Sequence, residues 1–185
     1  MTSDVSKSLG GHIADVRGKW GWFVALGVLM LIAGVIAFAN LFLATVVSVY
    51  YIGALMIVGG IFEIIHAFQV KSWGGLIWWL LSGILYTLAG IVAFMNPILA
   101  SSVLTLLLAV SLIAAGVLRI WVGVKARPET NWGWIVAAGV VTALAGIVIA
   151  IGWPVNSLFI LGLFLAFDLI FQGWGYIAFG LGLRR

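Results

Sequence analysis

The sequence has no cysteine, only three prolines, two histidines and five acidic residues in 185 positions. Without cysteine there is no disulfide framework, no thiolate metal site and no cysteine nucleophile. Charged residues make up 8% of the chain, where a soluble domain carries about a quarter, so a water-soluble globular protein is excluded. The 24 glycines follow no triplet period, which excludes collagen. Catalytic signatures are also missing. There is no His-Glu-x-x-His helix, no Walker loop and no Gly-x-Ser-x-Gly elbow, and Gly10-Gly11 is flexible punctuation rather than a phosphate loop. Only His12 and His66 could ligate a haem or metal axially, and His12 lies outside the apolar runs, so neither a metal nor a cofactor is expected.

What is abundant is apolar sequence: 65% hydrophobic residues with a mean hydropathy of +1.29. Six apolar runs lie at roughly 22–39, 46–69, 74–95, 99–124, 133–151 and 156–181. About 20 such residues span a bilayer as a helix, and none of the runs alternates with period two as a transmembrane barrel strand would. The spacing predicts an all-α integral membrane protein whose single six-helix domain occupies residues 20–185. Residues 1–19 form the one long polar stretch. Val5, Leu9, Ile13 and Val16 recur there every three or four positions. They mark either a short amphipathic helix in the membrane interface or a polar tail. The apolar run that follows is too long for a signal-peptide core, and no small-residue cleavage site succeeds it.

Two kinds of connection separate the runs. Asn40–Thr45, Asn96-Pro97 and Trp153–Asn156 are uncharged, with Asn and Pro as helix stops. Lys71-Ser72 and Lys125–Asn131 are charged. With the termini, the charged connections hold eight of the nine Lys and Arg, and the uncharged ones hold none. The positive-inside rule therefore places both termini in the cytoplasm. Trp20, Trp22, Trp73, Trp132 and Trp134 stand at the same ends, as interfacial anchors do. The net charge of +4 and pI near 9.8 thus reflect topology. No basic cluster with interleaved aromatics occurs in a soluble segment, so nucleic acid is not an expected partner.

The chain repeats itself. Gly27, Gly83 and Gly139 are 56 residues apart, as are Gly34, Gly90 and Gly146. The octet Ala33–Asn40 reads again as Ala89–Asn96 and as Ala145–Gly152. Gly60, Gly116 and Gly173 correspond in the alternate runs, with one extra residue in the third outer turn. Three parallel hairpin repeats follow, at about 20–71, 72–125 and 130–185. The glycines are expected to serve close helix packing.

Three hairpins, an odd helix closing on Asn-Pro or Trp-Pro and an even helix carrying Gly-Ile/Val-x-x-Glu/Arg resemble the HdeD family of acid-resistance membrane proteins. The likeness covers residues 18–185, with Phe167-Asp168-Leu169-Ile170-Phe171-Gln172-Gly173 similar to the last repeat of many members. Leu41 departs from the pattern by replacing the proline after Asn40. The resemblance implies a bacterial inner-membrane protein linked to acid stress, built of repeats without established catalytic residues.

Ionisable groups inside a membrane are costly, at ~3 kcal/mol each on insertion scales, so the few present are the candidate site. Repeat alignment makes Leu55, Ser111 and Asp168 equivalent, then Gly59, Ala115 and Gln172 one turn on, then Glu63, Arg119 and Tyr176. Spacings of four and eight place each set on one helix face. Asp168, near mid-helix, is the leading candidate for a buried titratable group, with Gln172 or Ser111 as hydrogen-bond partner. Arg119 lies about 9 Å from Lys125 along the helix, within reach of the headgroups. Glu63 is at a similar depth, and a Glu63–Arg119 ion pair is expected. His66 shares the Glu63 face, and imidazole changes charge within the physiological pH range. Three function classes fit: a non-enzymatic acid- or stress-resistance protein, a proton or solute transporter using Asp168, and a structural subunit of a larger membrane complex. The bilayer is the expected partner, with homo-oligomerisation left open.

Overall fold

A computed structural model describes residues 20–127 and 132–184. The expected interfacial segment at 1–19 lies outside the described residues. Six helices follow one another: α1 Trp20–Ala39, α2 Leu41–Ala67, α3 Trp73–Met95, α4 Pro97–Lys125, α5 Trp132–Gly152 and α6 Ser157–Arg184. Each is long and apolar enough to cross a membrane. All regular structure among the described residues is helical, so the chain is an all-α, six-helix membrane protein built on repeats.

The helix stops are mostly where Asn and Pro put them, with one correction. The first uncharged connection is not Asn40–Thr45 but Asn40 alone, because α2 already begins at Leu41. Without a proline after Asn40, nothing removes a backbone donor or forbids helical geometry at 41–45. Asn96 shows how one residue ends a helix and starts another. Its N–H donates to the Val92 carbonyl at 2.9 Å, closing α3. Its Oδ1 accepts from the Leu99 N–H at 3.1 Å, capping α4, with Pro97 in the first turn. The third uncharged turn is longer and tied down. Asn156 Nδ2 donates to the Ile149 carbonyl at 2.8 Å, and Trp153 Nε1 donates to the Ser102 carbonyl at 2.9 Å.

The helices form two compact units. One holds α1 and the part of α6 from Leu163 onward, and the other runs from Leu41 to Gly162. In the larger unit α2 packs along α3 and α4 along α5, whereas α3 and α4, joined by Asn96, touch only sparsely. In the smaller unit α1 lies against α6. The repeat is a hairpin in sequence, yet the tight pairs are formed across the charged connections, with the first helix taking the last as its mate.

Each tight pair is a backbone-to-backbone contact between small residues. A Cβ on Gly60 would stand 2.6 Å from the Gly83 carbonyl oxygen. One on Gly116 would stand 2.7 Å from that of Gly139, and one on Gly27 2.7 Å from that of Gly173. One turn pair further out, Gly90 meets Gly53, Gly146 meets Ala109 and Gly34 meets Ala166. Small residues thus recur every seven positions on the even helices: Gly53, Gly60 and Ala67; Ala109, Gly116 and Gly123; Ala166, Gly173 and Gly180. A seven-residue period keeps one seam in register along a left-handed supercoil. Hydrocarbon offers no hydrophobic drive between helices, so close approach and the dispersion contacts it permits carry the association.

The larger unit has a small apolar core of Val49, Ala93, Ala100 and Leu161, backed by Leu104 and Leu108. Buried hydroxyls accompany it: Thr45, Ser48, Ser101, Thr105 and Ser157. Most are satisfied by nearby carbonyls, as where Ser48 Oγ donates to the Ala44 carbonyl at 2.8 Å and Ser101 Oγ to that of Ile98 at 2.8 Å. Thr45 Oγ1 instead accepts from the Gly162 N–H at 2.9 Å, joining α2 to the start of α6.

Neighbouring glycines test this packing. Gly59 has open space where its Cβ would go. Gly59→Ala is expected to hold or raise stability, since alanine is favoured over glycine in a helix by about 0.5–1 kcal/mol. Gly60→Ala is expected to lose about 1–3 kcal/mol through overpacking. Equilibrium unfolding in detergent micelles measures both; equal effects would count against the backbone contact.

Candidate functional site

The small-residue seams decide where the polar side chains go. On the part of α6 from Leu163 onward the buried positions are Ala166, Gly173 and Gly180. Asp168, Gln172 and Tyr176 share another face, because two residues along a helix is a turn of about 200°. Asp168 and Gln172 are accordingly exposed and Tyr176 is half-buried. The same holds in the other repeats: Leu55, Ser111 and Arg119 are exposed and Glu63 is half-buried. His66 is exposed as well. Asp168 and His66, expected to be buried, are thus exposed, while Glu63 is half-buried. Only small residues let two helix backbones touch, so they claim the inner face and the charged face turns outward.

Asp168 is held by its own helix, with Gln172 Nε2 donating to Asp168 Oδ2. This neutral donor orients the carboxylate but does not cancel its charge. The surroundings are aromatic. Phe167 stands 6.1 Å from Phe38 and 6.4 Å from Phe171, ring centre to ring centre. Beside Gln172 lies an open groove of about 330 Å³ lined by Phe23, Gln172, Gly175, Tyr176 and Phe179. Its walls are fixed by an edge-to-face contact between Phe23 and Phe179 at 5.2 Å. Ser111 lies in the larger unit, on the exposed face of α4.

The expected Glu63–Arg119 pair is not formed. Arg119 Nη1 donates instead to Thr142 Oγ1 on α5 at 3.3 Å, and the Thr142 hydroxyl in turn donates a hydrogen bond to the Ala138 carbonyl at 2.8 Å. Arg119 is thus met by the tight partner of its own helix. Glu63 Oε2 is buried with no hydrogen-bond partner among the described residues. His66 rests edge-to-face on Trp79 of α3, at 4.9 Å. Glu63 and His66 therefore belong to the α2–α3 pair, and Arg119 to the α4–α5 pair. Sequence reasoning missed Thr142 and Trp79, because finding them requires knowing which helix is the neighbour. It also missed the buried hydroxyls, which carry no periodic signal of their own.

The packing glycines lie where the seams require them. Gly27, Gly34, Gly60, Gly83, Gly90, Gly116, Gly139, Gly146 and Gly173 are all buried. They position the site without taking part in it. Chemically, the arrangement offers an exposed carboxylate tied to an amide, a lone buried carboxylate oxygen and a guanidinium on a hydroxyl. These groups can bind, orient and exchange protons.

A family model described as a short repeat of unknown function (DUF308) matches the chain twice, over residues 25–94 and 81–151. The two matches begin 56 residues apart, the same step that separates Gly27 from Gly83. No curated protein and no solved structure matches the chain.

The buried oxygen of Glu63 generates a stability prediction. An unsatisfied buried acceptor costs about 1–3 kcal/mol, so Glu63→Leu is expected to stabilise the protein by about that amount. Thermal unfolding in detergent reads the change. Destabilisation would mean that Glu63 makes a contact essential to the fold.

Proposed function

We propose, from the premise that the chain belongs to the DUF308 short-repeat family, that it is an HdeD-like protein of the bacterial inner membrane. It contributes to acid and stress resistance and catalyses no reaction. The observation that carries this reading is the Asp168–Gln172 pair on the exposed face of α6. A charged residue in hydrocarbon is costly, and a proton is what changes the charge of a carboxyl group. Acidification then alters the face that α6 presents to lipid or to a neighbouring protein. Glu63 and His66 add two further titratable groups on α2.

The same exposed face supports a second reading. Phe171 and Trp174 are 72% and 62% exposed beside the polar pair, a mixture suited to docking against another membrane helix. In this reading the protein is a subunit of a larger assembly or of a homo-oligomer. A homogeneous free particle of monomeric mass in mild detergent would count against it.

Acid survival of a deletion strain tests the first reading. Complementation by Asp168→Asn, at membrane levels matched to the native protein, is expected to leave cells more acid-sensitive, with Glu63→Gln as a second variant. Full rescue by both would overturn a role for protonation. Proton flux in liposomes that Asp168→Asn abolishes would instead establish transport.

Topology is tested separately, and the cysteine-free sequence makes labelling clean. The basic ends are assigned to the cytoplasm. Val155→Cys, at the uncharged end, is expected to react with a membrane-impermeant maleimide in intact spheroplasts. Gln69→Cys is expected to react only in inverted vesicles. The reverse pattern would place the termini outside.

A further inference from the structure

We propose that the basic ends of the helices form two equivalent corners that recognise the headgroup of an anionic phospholipid. This inference is independent of acid resistance and of the Asp168 face. In the smaller unit the Arg184 guanidinium, at the end of α6, lies over the ring of Trp20 at the start of α1, 5.1 Å from its centre. In the larger unit the Arg127 guanidinium, just past the end of α4, lies over the ring of Trp132 at the start of α5, 3.7 Å from its centre. Trp20 and Trp132 each open a Trp-Gly-Trp sequence and stand two 56-residue repeats apart. Arg127 and Arg184 stand one repeat apart, counting the extra residue of the third outer turn. The same arginine–indole corner is thus built twice from different stretches of chain. In the middle copy Lys71 and Leu76 occupy the two places, so the stacking partner is lost there.

An indole face attracts a guanidinium through its quadrupole and fixes the plane of the fork. The edge N–H groups then remain free to take two oxygens of one phosphate. Neither guanidinium has a hydrogen-bond or ion-pair partner among the described residues. Lys125, over the Trp121 ring at 4.1 Å, adds a second cation at the end of α4. In the sequence the basic residues Lys71, Lys125, Arg127, Arg184 and Arg185 at these helix ends outnumber the acidic Glu129, a balance that favours an anionic occupant.

The surroundings specify a lipid rather than a soluble phosphate. Trp22 and Trp134, two residues beyond the stacked indoles, are 79% and 78% exposed. Large exposed indoles at a helix end belong at the boundary between headgroups and acyl chains. An open groove of about 450 Å³ lined by Trp20, Gly21, Trp22 and Ala25 runs from the first corner onto the apolar part of α1. A ligand that fills both places needs a phosphate and a hydrocarbon chain.

Native mass spectrometry of the full chain tests this, after release from mixed micelles holding equal amounts of phosphatidylglycerol and phosphatidylcholine. The native protein is expected to retain phosphatidylglycerol in preference, up to two molecules per chain. Arg127→Gln with Arg184→Gln is expected to bring the two lipids to parity, with helicity by circular dichroism unchanged. Trp20→Leu with Trp132→Leu, which keeps every charge, is expected to lose most of the preference. Equal retention by the native protein would overturn the proposal without reference to any variant. Full preference in the tryptophan variant would overturn the stacked corner and leave charge alone. Displacement of the lipid by inorganic phosphate at equal concentration would show a site for free anions, against a lipid headgroup.

Discussion

Two helix backbones in contact through glycine are the constraint on which the remainder of this molecule depends. In water an apolar helix face is driven against another, but in a bilayer lipid tails are as apolar as leucine. The gain must come from approach closer than lipid allows. Gly60 on Gly83, Gly116 on Gly139 and Gly27 on Gly173 provide it, and the seven-residue spacing extends each contact along the seam. Because the backbone contact points of each pair are reserved for residues with little or no side chain, most of the large residues are displaced outward. The exposure of so many large apolar residues, from Leu29 and Phe62 to Val141 and Phe171, is the expected surface of a protein dissolved in hydrocarbon.

The same rule explains how polar groups are accommodated. Hydroxyls can enter because a serine or threonine returns its proton to a carbonyl of the preceding turn, as Ser48, Thr87 and Ser101 do. Charged and amide side chains, apart from the half-buried Glu63, occupy the outward faces or the helix ends. Asp168 stays outside with Gln172, and Arg119 reaches Thr142 across its own pair. Lys125, Arg127 and Arg184 at the ends settle on indoles. These polar groups therefore lie beside the seams, where the protein meets lipid, headgroups or another protein.

Connection length adds the second constraint. A single asparagine joins α3 to α4, enough to reverse the chain but not to lay the two helices side by side. The charged connections are longer and let their flanking helices run together. Tight pairs consequently form across the basic ends, which brings Arg127 onto Trp132 and, by the equivalent pairing of α6 with α1, Arg184 onto Trp20.

Composition and periodicity alone determined that the chain is a six-helix membrane protein, roughly where its helices lie, that it repeats at a step of 56 residues and that Gly27, Gly34, Gly60, Gly83, Gly90, Gly116, Gly139, Gly146 and Gly173 pack, though not that Gly53, Gly123, Gly162 and Gly180 do so too. These are properties of single helices: length, hydropathy and the spacing of small residues are all local. The amphipathic alignment also placed Asp168, Gln172 and Tyr176 on one face of α6, because the helical turn is fixed by the backbone. Only the tertiary structure decided which helix each seam meets, and through that choice the partners of Arg119 and His66 and the outward turn of Asp168. A glycine stripe is equally compatible with any other glycine stripe. The choice among them rests on connection geometry and on the exclusion of bulk from the seam, which are properties of helices in pairs.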